Sequence, residues 1–90
     1  MTEIDLENKI IEVIDILKNE IDTKKKGVGV YKDLLKVYTN ALEECHKGNY
    51  EMARIKGTIR YLYDSLAPKN VELETKMDEA ISALELFRGK

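Results

Sequence analysis

His46 is the chain's only histidine, so any Ser-His-Asp or Cys-His scheme has to run through it. Cys45, the only thiol, stands next to it in sequence. Neighbours on a helix point about 100° apart, because one turn takes about 3.6 residues. Cys45 continues an apolar stripe and His46 does not, so the two read as a small buried thiol beside a helix-end imidazole. Glu43 and His46 form a Glu-x-x-His unit, the spacing that di-iron bundles use. Such a site needs two units and further inward carboxylates. One chain has a single histidine, so only a symmetric dimer would complete it, and both residues sit off the apolar seam. Paired carboxylates (Glu43 with Glu44, Glu72 with Glu74, Asp78 with Glu79) are candidates for acid–base work. They fall on outer helix faces, where a solvated surface is the expected role. The sequence therefore predicts no catalytic residue, no metal site and no cofactor. A dimeric metal- or ligand-binding helical bundle is a further alternative.

Two further features touch on phosphate chemistry. Gly27-Val28-Gly29 lacks the Gly-Lys-Ser/Thr ending and the preceding strand of a phosphate loop, and reads as a turn. Lys24, Lys25 and Lys26 complement the carbonyl end of a helix, and no aromatic side chain interleaves with them to stack bases. Fifteen Lys and Arg stand against seventeen Asp and Glu, a net charge of −2, which gives no electrostatic pull toward a nucleic-acid backbone.

The elements that carry these residues are helical throughout. Ninety residues make one domain (1–90) with a modest core. Apolar content of 43% beside 36% charged residues excludes both a disordered chain and a membrane protein. The longest apolar runs are far below the roughly 20 residues that cross a bilayer, so no stable membrane insertion is expected. A lone cysteine fits a reducing compartment, and the acidic start, Met-Thr-Glu-Ile-Asp, is unlike a basic signal-peptide start, so a cytoplasmic location is expected.

Apolar residues at steps of three and four predict helices over about 3–26, 30–47, 50–66 and 71–88. Thr2 with Asp5 resembles a capping box for the first, which Gly27 stops. Leu6, Ile10, Val13, Leu17 and Ile21 form its stripe, widened by Ile4, Ile11, Ile14 and Ile16. So broad a face calls for two neighbours, or one neighbour and a second copy in a homodimer. Tyr31, Leu34, Leu35, Tyr38, Ala41, Leu42 and Cys45 define the second helix, closed by Lys47-Gly48. Asn49 is the expected cap of the third, with Met52, Ile55, Ile59, Leu62 and Leu66 as its seam and Pro68 as its stop. Asn70 is the expected cap of the fourth, whose stripe is Leu73, Met77, Ala80, Ile81, Leu84 and Phe87 before Gly89. Short breaks between four such helices predict an all-α, antiparallel, up-down-up-down four-helix bundle.

On a third helix over 50–66, Tyr50, Ala53, Arg54, Gly57 and Tyr61 share the side opposite the seam. Gly57 beside Ala53 makes a notch for another helix, flanked by tyrosine and arginine, the residue types enriched at interface hot spots. These five are the expected partner-binding residues, and the alternative is that helix 1 of the same chain fills the notch. On this reading Gly57→Leu abolishes partner binding and leaves the fold intact.

The stretch LLKVYTNALEECHKGNYEMARIKGTIRYLYDSL, Leu34 to Leu66, combines an amphipathic helix, a Lys-Gly turn, an aromatic-leucine cluster (Tyr61-Leu62-Tyr63) and a polar break before a last helix. In this it resembles the immunity proteins of pediocin-like bacteriocins, the enterocin A immunity group. The resemblance implies a cytosolic four-helix bundle that protects the producing cell by acting on a bacteriocin-bound sugar-transport receptor from the cytoplasmic side. The sequence thus points to a small non-enzymatic protein-binding module of adaptor, inhibitor or immunity type, with a protein partner and no nucleic acid.

Overall fold

A computed structural model of the chain describes residues 3–23, 28–65 and 70–88. The expected cap at Thr2, the Lys24-Lys25-Lys26 run, the stop at Gly27, Leu66, Pro68 and Gly89 lie outside the described residues. Among the described residues there are four α-helices: α1 (Glu3–Thr23), α2 (Gly29–His46), α3 (Thr58–Asp64) and α4 (Val71–Arg88). A single 3-10 turn, Tyr50–Met52, precedes α3, and the described residues contain no strand.

The 3.6-residue period of α1 buries Leu6, Ile10, Val13, Ile14 and Leu17. α1 packs along both α2 and α4, which covers Ile14 and part of Ile16, while Ile4 and Ile11 of the widened stripe stay exposed. The second partner of α1 is α4, and the Gly57 position is open, with no atom within 4 Å of a Cβ built there. Polar ties give the directions. His46 Nδ1, at the end of α2, lies 3.0 Å from Glu7 Oε1 near the start of α1. At the opposite end Asn70, just before α4, donates to Glu20 Oε1 at 3.1 Å, and Lys76 Nζ lies 3.2 Å from Glu12 Oε2 between them. Both neighbours therefore run antiparallel to α1, and the bundle is up-down-up-down.

Helix ends follow local chemistry. Gly48 adopts φ +83, a left-handed angle that glycine takes without a Cβ penalty. Its N–H donates to the Cys45 carbonyl at 3.0 Å and the Asn49 N–H to the Glu44 carbonyl at 2.8 Å, the paired bonds of a Schellman motif. Asn70 Oδ1 accepts the Leu73 N–H at 3.1 Å, which makes it the N-cap of α4. Asn49 caps nothing. Its side chain donates to Glu44 Oε2 at 3.2 Å.

The third leg departs from the expected helix over 50–66. After Tyr50–Met52 the chain extends, with Ala53 at φ −81 and ψ 101, then turns at Gly57 before α3 begins. Ala53 and Ile55 are both fully buried, while Arg54 and Lys56 are exposed, a period of two rather than 3.6. Met52, expected in the seam, is 56% exposed. The cause is the turn itself. Gly57 has φ +95 and ψ −9, as required at the third position of a type II turn, and the Thr58 N–H closes that turn on the Ile55 carbonyl at 3.2 Å. A right-handed helix cannot pass through such an angle.

Candidate functional site

The turn at Gly57 is fixed from beneath by a buried polar chain. The Thr58 hydroxyl donates to the Ile55 carbonyl at 2.7 Å. Its one proton being spent there, it accepts from the Tyr38 hydroxyl of α2, also at 2.7 Å. Tyr38 is fully buried, and burial pushes its hydroxyl up to about 12, so it remains a donor across the working pH range. On the outer side, the Tyr61 hydroxyl of α3 donates to Asp33 Oδ2 of α2 at 2.8 Å. That bond to a carboxylate raises the Tyr61 hydroxyl above its ordinary value.

Between these two ties lies an open groove of about 380 Å³. Val37 of α2 lines one side, with the nearly buried Leu34 beneath it, and Arg54, Lys56 and Gly57 line the other. Tyr61 and Asp33 close the end, with Thr58 at the base. Val37 is 37% exposed and Tyr61 44% exposed, so apolar surface faces solvent here. A Cβ built on Gly57 meets no atom within 4 Å. The groove is thus open at the glycine rather than tightly packed over it.

Of the five residues singled out from sequence, Arg54, Gly57 and Tyr61 meet at this groove, around a turn and not along a helix face. Ala53 is fully buried and belongs to the core. Tyr50 packs against Phe87 of α4, ring centroids 5.2 Å apart, at the other end of the bundle. The five therefore do not share one face, because the 50–66 helix that would align them is broken. Sequence reasoning missed Asp33, Leu34, Val37, Lys56 and Thr58. The Lys56-Gly57 pair carried the signal: the same dipeptide at 47–48 marks a helix stop with a left-handed glycine.

The remaining chemical candidates lie elsewhere. Cys45 is 2% exposed, and its thiol is pushed up to about 11, first by burial and then by the charges of Glu7 and Glu44. A thiol so held stays protonated near neutral pH, whereas nucleophilic cysteines are thiolates. His46 is exposed and engaged with Glu7, while Glu43 points to solvent. Among the described residues no three His, Cys, Asp or Glu side chains are grouped to hold a metal ion, and no helix is long and apolar enough to cross a membrane.

Compared with protein-family models, curated proteins and solved structures, the chain matches no family model and has no significant match to a curated protein or a solved structure.

Proposed function

We propose that the protein is a small, non-enzymatic, cytoplasmic protein-binding module that docks its partner in the groove between α2 and residues 54–61. One observation carries this reading. An exposed valine, a tyrosine and an unencumbered arginine converge on an open surface underlain by the Tyr38–Thr58–Ile55 hydrogen-bond chain. The protonated, buried thiol supports a binding role over nucleophilic catalysis. The test is capture of a partner from the native host by wild type, by Arg54→Glu/Lys56→Glu, and by Lys18→Glu on the exposed face of α1. The groove variant loses the partner and the α1 variant keeps it. A partner retained by the groove variant refutes the assignment of the surface.

The immunity type is the form of this reading to test first. The segment that resembles bacteriocin immunity proteins, Leu34 to Leu66, contributes every residue of the groove except Asp33. Expression in a cell sensitive to pediocin-like bacteriocins gives protection on this reading, and Arg54→Glu/Lys56→Glu removes it. Absence of protection against the whole class rejects the immunity type and leaves the binding module standing.

A further inference from the structure

We infer that the groove accepts an acidic peptide segment carrying one apolar anchor side chain. The inference rests on the groove being the docking surface and specifies what it takes. The extended stretch from Ala53 decides the charge. Because Ala53 and Ile55 root in the core, Arg54 and Lys56 emerge on the same side of the chain, about 6–7 Å apart at two extended steps of roughly 3.3 Å. Neither has an acidic partner among the described residues. Arg60, Lys76 and Arg88 each lie within 4 Å of a carboxylate; other lysines, such as Lys18 and Lys36, also stand without one, so what sets Arg54 and Lys56 apart is that both line one groove. The acidic group of the groove, Asp33, already accepts the Tyr61 hydroxyl at the far end. A protein of net charge −2 thus holds two uncommitted cations along one rim.

The size and lining decide the rest. A volume of about 380 Å³ is near the bottom of the range for small-molecule sites, roughly 300–1,000 Å³, and open to solvent. It suits a single inserted side chain with its backbone crossing above Gly57, where no Cβ obstructs approach. Val37, 37% exposed, supplies the apolar contact for that anchor, with the buried Leu34 beneath it, and carboxylates on either side of the anchor reach Arg54 and Lys56. Charge-assisted bonds from Arg54 and Lys56 set orientation, and the anchor supplies buried apolar area.

The test uses the full chain and a displayed library of random 12-residue peptides. Sequences enriched on wild type carry a Leu, Ile, Met or Phe flanked by Asp or Glu. A synthetic, fluorescein-labelled peptide of the strongest sequence binds about tenfold or more weakly to Arg54→Glu/Lys56→Glu, and its affinity falls with added salt. Circular dichroism checks the fold of the variant, and Val37→Ser gives a second, uncharged lesion that also weakens binding. Amide shifts in an NMR titration fall on Leu34, Val37 and residues 54–61. Neutral or basic peptides that shift these same amides overturn the acidic specificity and leave the docking surface intact. Acidic peptides that shift another face overturn the docking surface itself. Failure to enrich any peptide, or tighter binding of a single-stranded oligonucleotide to the same rim, overturns the peptide inference, and the partner-capture comparison judges the surface separately.

Discussion

Replacing Tyr38 and Thr58 singly and together tests whether a buried hydrogen-bond chain, rather than local propensity, breaks the third leg of the bundle. Tyr38→Phe deletes a donor but leaves the Thr58 proton satisfied by the Ile55 carbonyl. The cost is that of one net hydrogen bond, about 1 kcal/mol. Thr58→Val is worse. It strands the Tyr38 hydroxyl, fully buried, with no acceptor, and the Ile55 carbonyl keeps only the Thr58 N–H. An orphaned buried hydroxyl costs about 1–3 kcal/mol, so the expected loss is about 2 kcal/mol. In the double variant no hydroxyl is stranded. Its loss is about 1–2 kcal/mol, below the sum of the singles, and the cycle returns a coupling of about 1 kcal/mol. For a domain of this size about 1 kcal/mol moves Tm by roughly 4–8 °C. Thermal and urea unfolding followed by circular dichroism read all four proteins. Strictly additive losses, or a Thr58→Val protein more stable than Tyr38→Phe, would show that the two hydroxyls do not act as one unit.

Three further outcomes follow from the same geometry. Gly57→Ala and Gly57→Leu lose similar stability, about 1–2 kcal/mol, because the penalty lies in φ +95 and open space surrounds the added side chain. Gly57→Asn loses less, and a much larger loss for Leu than for Ala in urea unfolding would instead mean packing. Ala53→Leu destabilises by about 1–3 kcal/mol through overfilling the core, whereas an interface alanine would leave Tm unchanged. Stability falls as pH rises from about 9 to 12. The folded chain holds the Cys45 proton up to about 11 against an ordinary 9.0 and the Tyr38 proton up to about 12 against 10.0, so the unfolded chain releases protons first. The Tyr61 hydroxyl, bonded to Asp33, and the Tyr63 hydroxyl, held up by the Glu74 carboxylate, add in the same direction. Cys45→Ala removes the lower part of the decline and Tyr38→Phe the upper part, and a flat urea-stability profile up to pH 11.5 contradicts the assignment.

The sequence was most legible where one period runs unbroken. Leu6, Ile10, Val13 and Leu17 repeat once per turn, and so do Tyr31, Leu34, Tyr38, Ala41 and Cys45; all are buried as their spacing implies. Asn70 and Gly48 are local signals whose chemistry needs only a few neighbouring residues, and both act as read. The third leg misled because Met52, Ile55, Ile59 and Leu62 match a helical seam while Ala53 and Ile55 also match an extended strand. Periodicity over so few residues does not choose between them. In the fold the extended form is closed by the left-handed turn at Gly57 and tied down by the bond between Thr58 and Tyr38, twenty positions away. Arg54, Gly57 and Tyr61 were found through a helix face that does not exist, because steps of three and four also bring residues together around a turn. Asp33, Leu34 and Val37 sit on or beside the stripe of α2, and nothing local marks them until the third leg is laid across them.

The break has a consequence that an uninterrupted helix would not have. In a helix, Arg54 and Lys56 would point about 200° apart. Extended, they stand side by side, and each buried neighbour anchors the cation beside it. Interrupting the helix forfeits backbone hydrogen bonds over residues 53–57. The Tyr38–Thr58–Ile55 chain and the burial of Ala53 and Ile55 offset that loss. Substitutions at Tyr38 or Thr58, neither of which presents its polar atom to solvent, are therefore expected to weaken occupancy of the groove along with stability. Substitutions at Arg54 or Lys56 weaken occupancy alone. That separation of effects is what distinguishes a surface shaped by its foundation from one defined by its rim charges.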